Sequence, residues 1–154
     1  MTDITLRPVS VTDPQAQACL IAYYDELSRR FGTLFEPGVE PDPTVYDPPR
    51  GIFLLAERAG QVLGCVGLRP DGAAGEIKRL WVSPGARGLG LSRRLMGAVE
   101  QAARDLGYAR LRLDTSRHLA EAIALYRRDG WAEIARYNDN PYADFFFEKA
   151  LDAP

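Results

Sequence analysis

The 154-residue sequence has two cysteines, one histidine, almost balanced charge and no long apolar run. Cys19 and Cys65 have neither the spacing of a metal site nor the density of a disulfide-stapled secreted protein, so we expect two buried thiols and no metal. With 19 basic and 21 acidic side chains, the chain lacks the positive charge that favours nucleic-acid binding. No segment approaches the roughly 20 apolar residues of a membrane span and no signal-like leader is visible, so we expect a cytosolic protein without a membrane partner.

The composition, 46% hydrophobic and 26% charged, is typical of a globular protein, and we predict one domain over residues 1–154. Helices are predicted where apolar residues recur at spacings of three and four, and strands where apolar runs are short and bounded by turn residues. Residues 33–50 hold six prolines and glycines and predict a loop with one helical turn at most. The predicted strands cover residues 4–7, 51–56, 62–68, 76–82, 111–113, 131–135 and 145–151, and the predicted helices cover 14–31, 91–106 and 119–126.

A glycine-rich turn, Arg87-Gly88-Leu89-Gly90, lies between a predicted strand and a long amphipathic helix. The first amides of a helix have no partner within it, and glycine lets an anion approach them closely. The turn therefore predicts a site for a phosphorylated ligand, most naturally a pyrophosphate. It lacks the Gly-Lys-Ser/Thr of a Walker loop, and Arg93 stands where the dinucleotide fingerprint has its third glycine.

This turn follows the strand Leu80-Trp81-Val82 and precedes the segment Leu125-Tyr126-Arg127-Arg128-Asp129-Gly130-Trp131. In these motifs, and in the order of its elements over nearly its whole length, the chain resembles the GCN5-related N-acetyltransferase (GNAT) superfamily. The resemblance implies a three-layer α/β/α fold whose central mixed, mostly antiparallel sheet splays between strands 4 and 5. It also implies acetyl-coenzyme A (acetyl-CoA) as co-substrate, with no metal.

The resemblance also assigns the residues that would hold acetyl-CoA. Backbone groups of the splayed strand would bind the pantetheine arm, and backbone amides of the turn would bind the pyrophosphate. Arg93 and Arg94 either reach the nucleotide phosphates or are solvated on the helix surface. The cofactor-binding residues implied are Leu80, Trp81, Val82, Arg87, Gly88, Leu89, Gly90, Leu91 and Ser92.

Two residues match the catalytic positions of the family. Tyr126 matches the tyrosine that protonates the departing thiolate, although its spacing also fits a core aromatic residue. Glu76 matches a glutamate that removes the proton of the amine, and strand alternation places it on the face of Leu80 and Val82 unless a bulge intervenes. A water chain as the base and a salt bridge of Glu76 with Lys78 or Arg79 are the alternatives.

The resemblance implies a small-molecule amine as acceptor, bound near the first helix and the loop after it. Tyr24 and Phe31 are the substrate residues we predict from this region. Carboxylates there favour a cationic amine. A non-catalytic acyl-CoA sensor and a protein or peptide N-acetyltransferase are the rival functions, and the oligomeric state, a homodimer included, stays open. The further aromatic, polar and acidic candidates are Tyr23, Phe35, Tyr46, Tyr137, Asn138, Asn140, Tyr142, Glu36, Glu40, Asp42 and Asp47.

Overall fold

A computed structural model of the protein describes residues 3–152. These residues form one seven-stranded sheet, three α-helices and two short 3-10 turns at Pro43–Tyr46 and Pro84–Ala86. Both the helical turn predicted within the loop 33–50 and the order of strands and helices predicted from sequence are confirmed. The elements are β1 (Thr5–Pro8), α1 (Pro14–Phe31), β2 (Ile52–Arg58), β3 (Gln61–Asp71), β4 (Ala74–Val82), α2 (Leu91–Asp105), β5 (Arg110–Thr115), α3 (Ala120–Arg128), β6 (Ala132–Ile134) and β7 (Phe145–Ala150).

The sheet has the strand order β1-β2-β3-β4-β5-β7-β6, and only the β4–β5 pair is parallel among the described strands. That pair is short. Gly75 lies opposite Leu111 and Glu76 opposite Arg112, and beyond these two positions β4 and β5 share no backbone register. The predicted mixed, mostly antiparallel sheet, splayed between its fourth and fifth strands, is thus confirmed.

Local signals in the sequence set the ends of α1. The Asp13 carboxylate accepts a hydrogen bond from the Gln15 amide at 2.8 Å, and Pro14 occupies the first turn, where its missing N–H costs nothing. Gly32 ends the helix in the left-handed region, at φ +72°. α1 therefore begins and ends at the residues predicted for it.

Helices cover both faces of the sheet, which makes three layers. On one face, Leu91, Leu95 and Val99 of α2 are buried in a core cluster that also takes in Tyr126 of α3. On the other face, a second cluster packs α1 against β2 and β3 and includes both cysteines, which are free and buried as predicted. No helix within residues 3–152 is long and apolar enough to cross a membrane.

A bulge in β4 reverses the faces of its second half. Cys65 of β3 pairs with Trp81, yet Gly67 pairs with Lys78, so β4 has an extra residue between these positions. Arg79 lies there at φ +64°. The prediction from simple alternation, which put Glu76 on the face of Leu80 and Val82, is therefore wrong: those two pack in the α2 core, and Glu76 lies on the opposite face.

Candidate active site

A cleft opens where β4 and β5 diverge. Its volume is about 390 Å³, and its floor is formed by consecutive residues of the two strands. Because the strands do not pair beyond Glu76, the backbone of the second half of β4 is left without a β5 partner along this opening. α1, the loop after it, α3 and the segment before β7 complete the walls. The floor residues are Ile77, Lys78, Arg79 and Leu80 of β4 and Leu113, Asp114 and Thr115 of β5, followed by Ser116.

The glycine-rich turn leads from the end of β4 into α2. Gly88 and Gly90 both take left-handed conformations, with φ of +85° and +73°, which glycine adopts without strain. No side chain caps α2, and the first turn holds no acidic residue. Within residues 3–152, the amides of residues 88–93 donate to no backbone carbonyl or side chain. Six adjacent amides are thus free, an arrangement that favours an anion.

Two charged side chains around this turn, those of Arg87 and Arg93, are engaged with protein groups. Arg87 donates to both oxygens of Glu26 at 2.6 and 2.7 Å and to the Val82 carbonyl at 3.2 Å. Glu26 also accepts from the Trp81 indole at 3.1 Å, so one buried carboxylate ties α1 to β4 and to the turn. Arg93 pairs with Asp129 at 2.7 Å. The turn therefore presents its backbone, and not these guanidinium groups, to an incoming ligand.

Tyr126 of α3 lines the cleft from the side of α2. Its ring packs against Trp131 and Phe147, at centroid distances of 6.0 and 5.8 Å, and only 5% of the residue is exposed. Its hydroxyl has no hydrogen-bond partner within residues 3–152. Burial, with the nearby charge of Asp114, raises the pKa of Tyr126 well above its usual value. The residue is therefore a core aromatic that also lines the cleft, and it keeps its proton at neutral pH; its role as the acid stays a prediction.

Glu76 is buried next to the cleft but does not line it. One carboxylate oxygen accepts from Arg69 at 3.0 Å, and the other accepts from the Tyr137 hydroxyl at 2.7 Å and lies 3.7 Å from the Lys78 ammonium. The salt bridge to Lys78 that the sequence offered as an alternative is formed, whereas no bridge to Arg79 exists among the described residues. Both oxygens are occupied, so direct proton abstraction by Glu76 stays a prediction.

The profile of the acetyltransferase (GNAT) family matches residues 20–131. An IAA acetyltransferase of Azospirillum brasilense is 36% identical over 142 residues, which cover 88% of this chain and 92% of that protein. The chain belongs to the GNAT family. A GNAT acetyltransferase of Staphylococcus aureus has the same fold, with a TM-score of 0.83, 20% identity and coverage of 97% of this chain and 100% of the other.

Solved GNAT structures include one from Elizabethkingia anophelis with acetyl-CoA bound, which has a TM-score of 0.66 and 17% identity and covers 96% of this chain and 98% of that one. Family membership establishes an acetyltransferase scaffold of a kind that binds acetyl-CoA. Within residues 3–152 of this GNAT protein, no cluster of three or more His, Cys, Asp or Glu side chains could hold a metal ion.

An aromatic wall closes one side of the cleft of this GNAT protein. We define it as Phe31, Phe35 and Tyr142, all of which line the cavity. Tyr142 stacks on Phe31 with ring centroids 5.5 Å apart and meets Phe35 at 4.6 Å. Tyr24 extends the wall, 5.5 Å from Phe35. The two predicted substrate residues, Tyr24 and Phe31, are thus brought together, and Tyr23 and Asn140 also line the cavity whereas Tyr46, Tyr137 and Asn138 do not.

Most of the acidic residues expected around a cationic amine instead pair with an arginine or lie at the ends of a turn. Glu40 pairs with Arg69 at 2.8 Å, Asp42 caps the Pro43–Tyr46 turn, and Asp47 follows that turn as its C-terminal residue. Glu36 alone of the four lines the cleft, and its side chain is exposed. The composition of the loop therefore predicted more negative charge at the cleft than the structure places there.

Asp114 and Arg79 line the cleft, and the sequence reasoning missed both. Asp114 lies 3.4 Å from Lys78 and accepts from Asn138 and Asn140 at 2.6 and 3.2 Å. A signal was present for Asp114, because it follows the alternating apolar residues Leu111 and Leu113 near the carboxyl end of a parallel strand, where α/β folds bind ligands. Arg79 carried no such signal, since its position depends on the bulge.

Proposed function

We propose that the protein transfers the acetyl group of acetyl-CoA to a primary amine of a small molecule. The observation that carries this proposal is the row of six free amides at residues 88–93, placed at the end of the strand that borders the cleft. An anion bound there would deliver whatever is attached to it along the unpaired edge of β4. The geometry suits a pyrophosphate that carries a long thioester arm.

The residues that the family resemblance names for the cofactor fit this placement. The amides of Gly88, Leu89, Gly90, Leu91 and Ser92 would hold the pyrophosphate, with Arg87 fixing the turn through Glu26. Backbone groups of Leu80, Trp81 and Val82 would hold the pantetheine arm, since β4 has no β5 partner there. A Cβ built on Gly88 or Gly90 meets nothing within 4 Å, so the space before the turn is open to a ligand.

In the reaction, the amine nitrogen attacks the thioester carbonyl directly in a ternary complex. The carbon–nitrogen bond forms, the carbon–sulfur bond breaks, and a backbone N–H of residues 80–82 polarises the carbonyl oxygen. Tyr126 donates its hydroxyl proton to the leaving thiolate. Burial raises the pKa of Tyr126, so its hydroxyl holds a proton at neutral pH, as a donor must.

The amine must lose a proton as well. We propose that ordered water carries this proton from the cleft to solvent, because Arg69, Lys78 and Tyr137 already occupy the oxygens of Glu76. The rival assignment, with Glu76 as the base, requires the amine or a bridging water to reach a buried carboxylate that does not line the cleft. Substitution of Glu76 distinguishes the two routes.

The proposal is tested by titration calorimetry with acetyl-CoA and by an assay of free thiol released in the presence of an amine panel. We expect saturable acetyl-CoA binding, and thiol release that depends on the amine. Binding without turnover on any small amine or peptide would favour a sensor, and turnover restricted to peptides would favour a protein acetyltransferase. Absence of acetyl-CoA binding would refute the proposal.

A further inference from the structure

Three cationic side chains line the cleft, and two of them are neutralised. Arg69 pairs with Glu40 at 2.8 Å and with Glu76 at 3.0 Å. Lys78 lies 3.4 Å from Asp114 and 3.7 Å from Glu76. The third, Arg79, forms no ion pair with any carboxylate within residues 3–152. Over the described part of the chain, the cleft therefore contains one positive charge without a counter-ion.

The surroundings of Arg79 are polar but uncharged. Its guanidinium donates to the Tyr24 hydroxyl and lies over the Tyr24 ring, 5.5 Å from the centroid, and the hydroxyls of Tyr23 and Tyr46 are also near. Burial raises the pKa of Tyr23 and of Tyr24, so neither becomes an anion at neutral pH. A half-buried guanidinium that only hydroxyls and rings surround keeps most of its five N–H donors available for an anion.

The backbone of Arg79 is held in an unfavourable conformation. Its φ of +64° is left-handed, a conformation that is unfavourable for a side chain such as arginine. The Cys65 thiol donates to the Arg79 carbonyl at 3.2 Å and helps hold this bulge. Strain of this kind concentrates at ligand sites. Here the bulge places the unpaired cation on the cleft floor beside Leu80.

We infer that the acceptor amine carries a carboxylate, which pairs with Arg79, and an apolar or aromatic group, which packs on the aromatic wall of Phe31, Phe35 and Tyr142. This inference rests on the proposed acetyl transfer and narrows its substrate class to amino acids with a large apolar side chain. A carboxylate neutralises the unpaired positive charge of Arg79 on the cleft floor and accepts charge-assisted hydrogen bonds from its guanidinium.

Three acceptors of nearly equal size test the inference in the thiol-release assay. L-Phenylalanine has the ring, amine and carboxylate, L-phenylalaninamide replaces the carboxylate by a neutral amide, and 2-phenylethylamine lacks it. We expect kcat/KM for L-phenylalanine to exceed that for either of the others by about 100-fold, the loss typical of removing one partner of a desolvated charge pair. Equal rates for the acid and the amide would overturn the inference.

Substitution of Arg79 gives the reciprocal test. We expect R79Q to lower kcat/KM for L-phenylalanine by about 100-fold and to change that for 2-phenylethylamine by less than about 3-fold, with R79K intermediate because it keeps the charge without the fork. R58Q, the same change at the end of β2 and away from the cleft, is the matched control and should leave both rates unchanged. A fall for both acceptors in R79Q would mean a structural role and would overturn the inference.

A binding measurement separates this inference from the proposed function. 3-Phenylpropanoate has the ring and carboxylate but no amine, and we expect calorimetry to show that it binds the wild-type protein and not R79Q, whereas 3-phenylpropanamide binds neither. If this pattern appears without any acetyl transfer, the proposed function fails and the carboxylate site stands. If acetyl transfer occurs and R79Q binds 3-phenylpropanoate as well as wild type does, the inference fails and the function stands.

Discussion

Replacing Gly90 by alanine tests the anion site at the start of α2 separately from the stability of the fold. Gly90 is the N-cap residue of α2, at φ +73°, and it lies among the free amides of residues 88–93. A Cβ there meets no protein atom within 4 Å, so alanine causes no clash. The substitution instead forces a side chain into the left-handed region and places a methyl group in the open space before the turn.

We expect G90A to lower the stability of the fold modestly and the affinity for acetyl-CoA strongly. The left-handed conformation costs alanine about 1–2 kcal/mol of folding free energy, and each kcal/mol lowers the Tm of a domain of this size by about 2–4 °C. Relaxation of the strain reorients the amides beside Gly90. The loss of two charge-assisted hydrogen bonds to a pyrophosphate, at about 1.5 kcal/mol or more each, weakens acetyl-CoA binding by about 100-fold or more.

Gly107 is the matched control. It follows the other end of α2 at φ +91°, and a Cβ there also meets nothing within 4 Å. G107A should lower Tm by a similar amount as G90A while leaving the Kd for acetyl-CoA unchanged. Thermal melts and titration calorimetry compare each of the two variants with the wild type, first in Tm and then in the Kd for acetyl-CoA. If G90A melts lower but binds acetyl-CoA as tightly as G107A does, the amides of this turn do not hold the pyrophosphate.

Three further substitutions test other parts of the site. Y126F should lower kcat by about 100-fold with Tm and acetyl-CoA affinity almost unchanged, because the hydroxyl has no partner within residues 3–152. E76Q should lower the free energy of unfolding by about 2 kcal/mol, because its ion pairs are weakened, and melts measure this loss. If water carries the proton, the kcat of E76Q in the thiol-release assay should change by less than about 3-fold. E26Q should lower Tm at neutral pH, with a difference from wild type that shrinks as pH falls below about 4.

The sign of the Glu26 prediction follows from its contacts. Burial raises the pKa of Glu26, but hydrogen bonds from Arg87 and Trp81 outweigh it and leave the pKa below its usual value. The stabilisation is therefore complete above the pKa of the unfolded chain and is lost as pH falls through the lower pKa of the folded state. A Tm difference that stays constant from about pH 3 to about pH 8 would contradict this.

The other two variants have refuting outcomes of their own. For E76Q, turnover slowed by about 100-fold or more would restore Glu76 as the base. For Y126F, unchanged turnover would remove Tyr126 as the acid.

The features that the sequence predicted correctly depend on residues close together in the chain. Asp13 and Pro14 start α1 and Gly32 ends it through contacts within a few residues. The glycine-rich turn is similar, because Gly88 and Gly90 act through their own backbone conformation. Local chemistry of this kind can be interpreted before the fold is known.

The contacts that the sequence could not predict join residues far apart in the chain. The acidic loop residue Glu40 is neutralised by Arg69, 29 positions away, and Glu76 is bound by Tyr137, 61 positions away. Nothing in the local sequence shows which carboxylates will find such partners. Composition could therefore predict that charged groups gather near the cleft, but not that the charge left unpaired on its floor would be positive.

The β4 bulge links the fold to the site, and the sequence held one indirect sign of it. Gly64, in the interior of β3, pairs with Val82, and a Cβ there would lie 2.4 Å from the Trp81 carbonyl oxygen. The two backbones therefore approach too closely after the bulge for any side chain at this position. Glycine within a strand often marks such an approach. The same irregularity turns Leu80 and Val82 into the α2 core and puts Arg79 on the cleft floor, so one bulge sets both the face of the strand proposed to bind the thioester arm and the position of the cation proposed to select the acceptor.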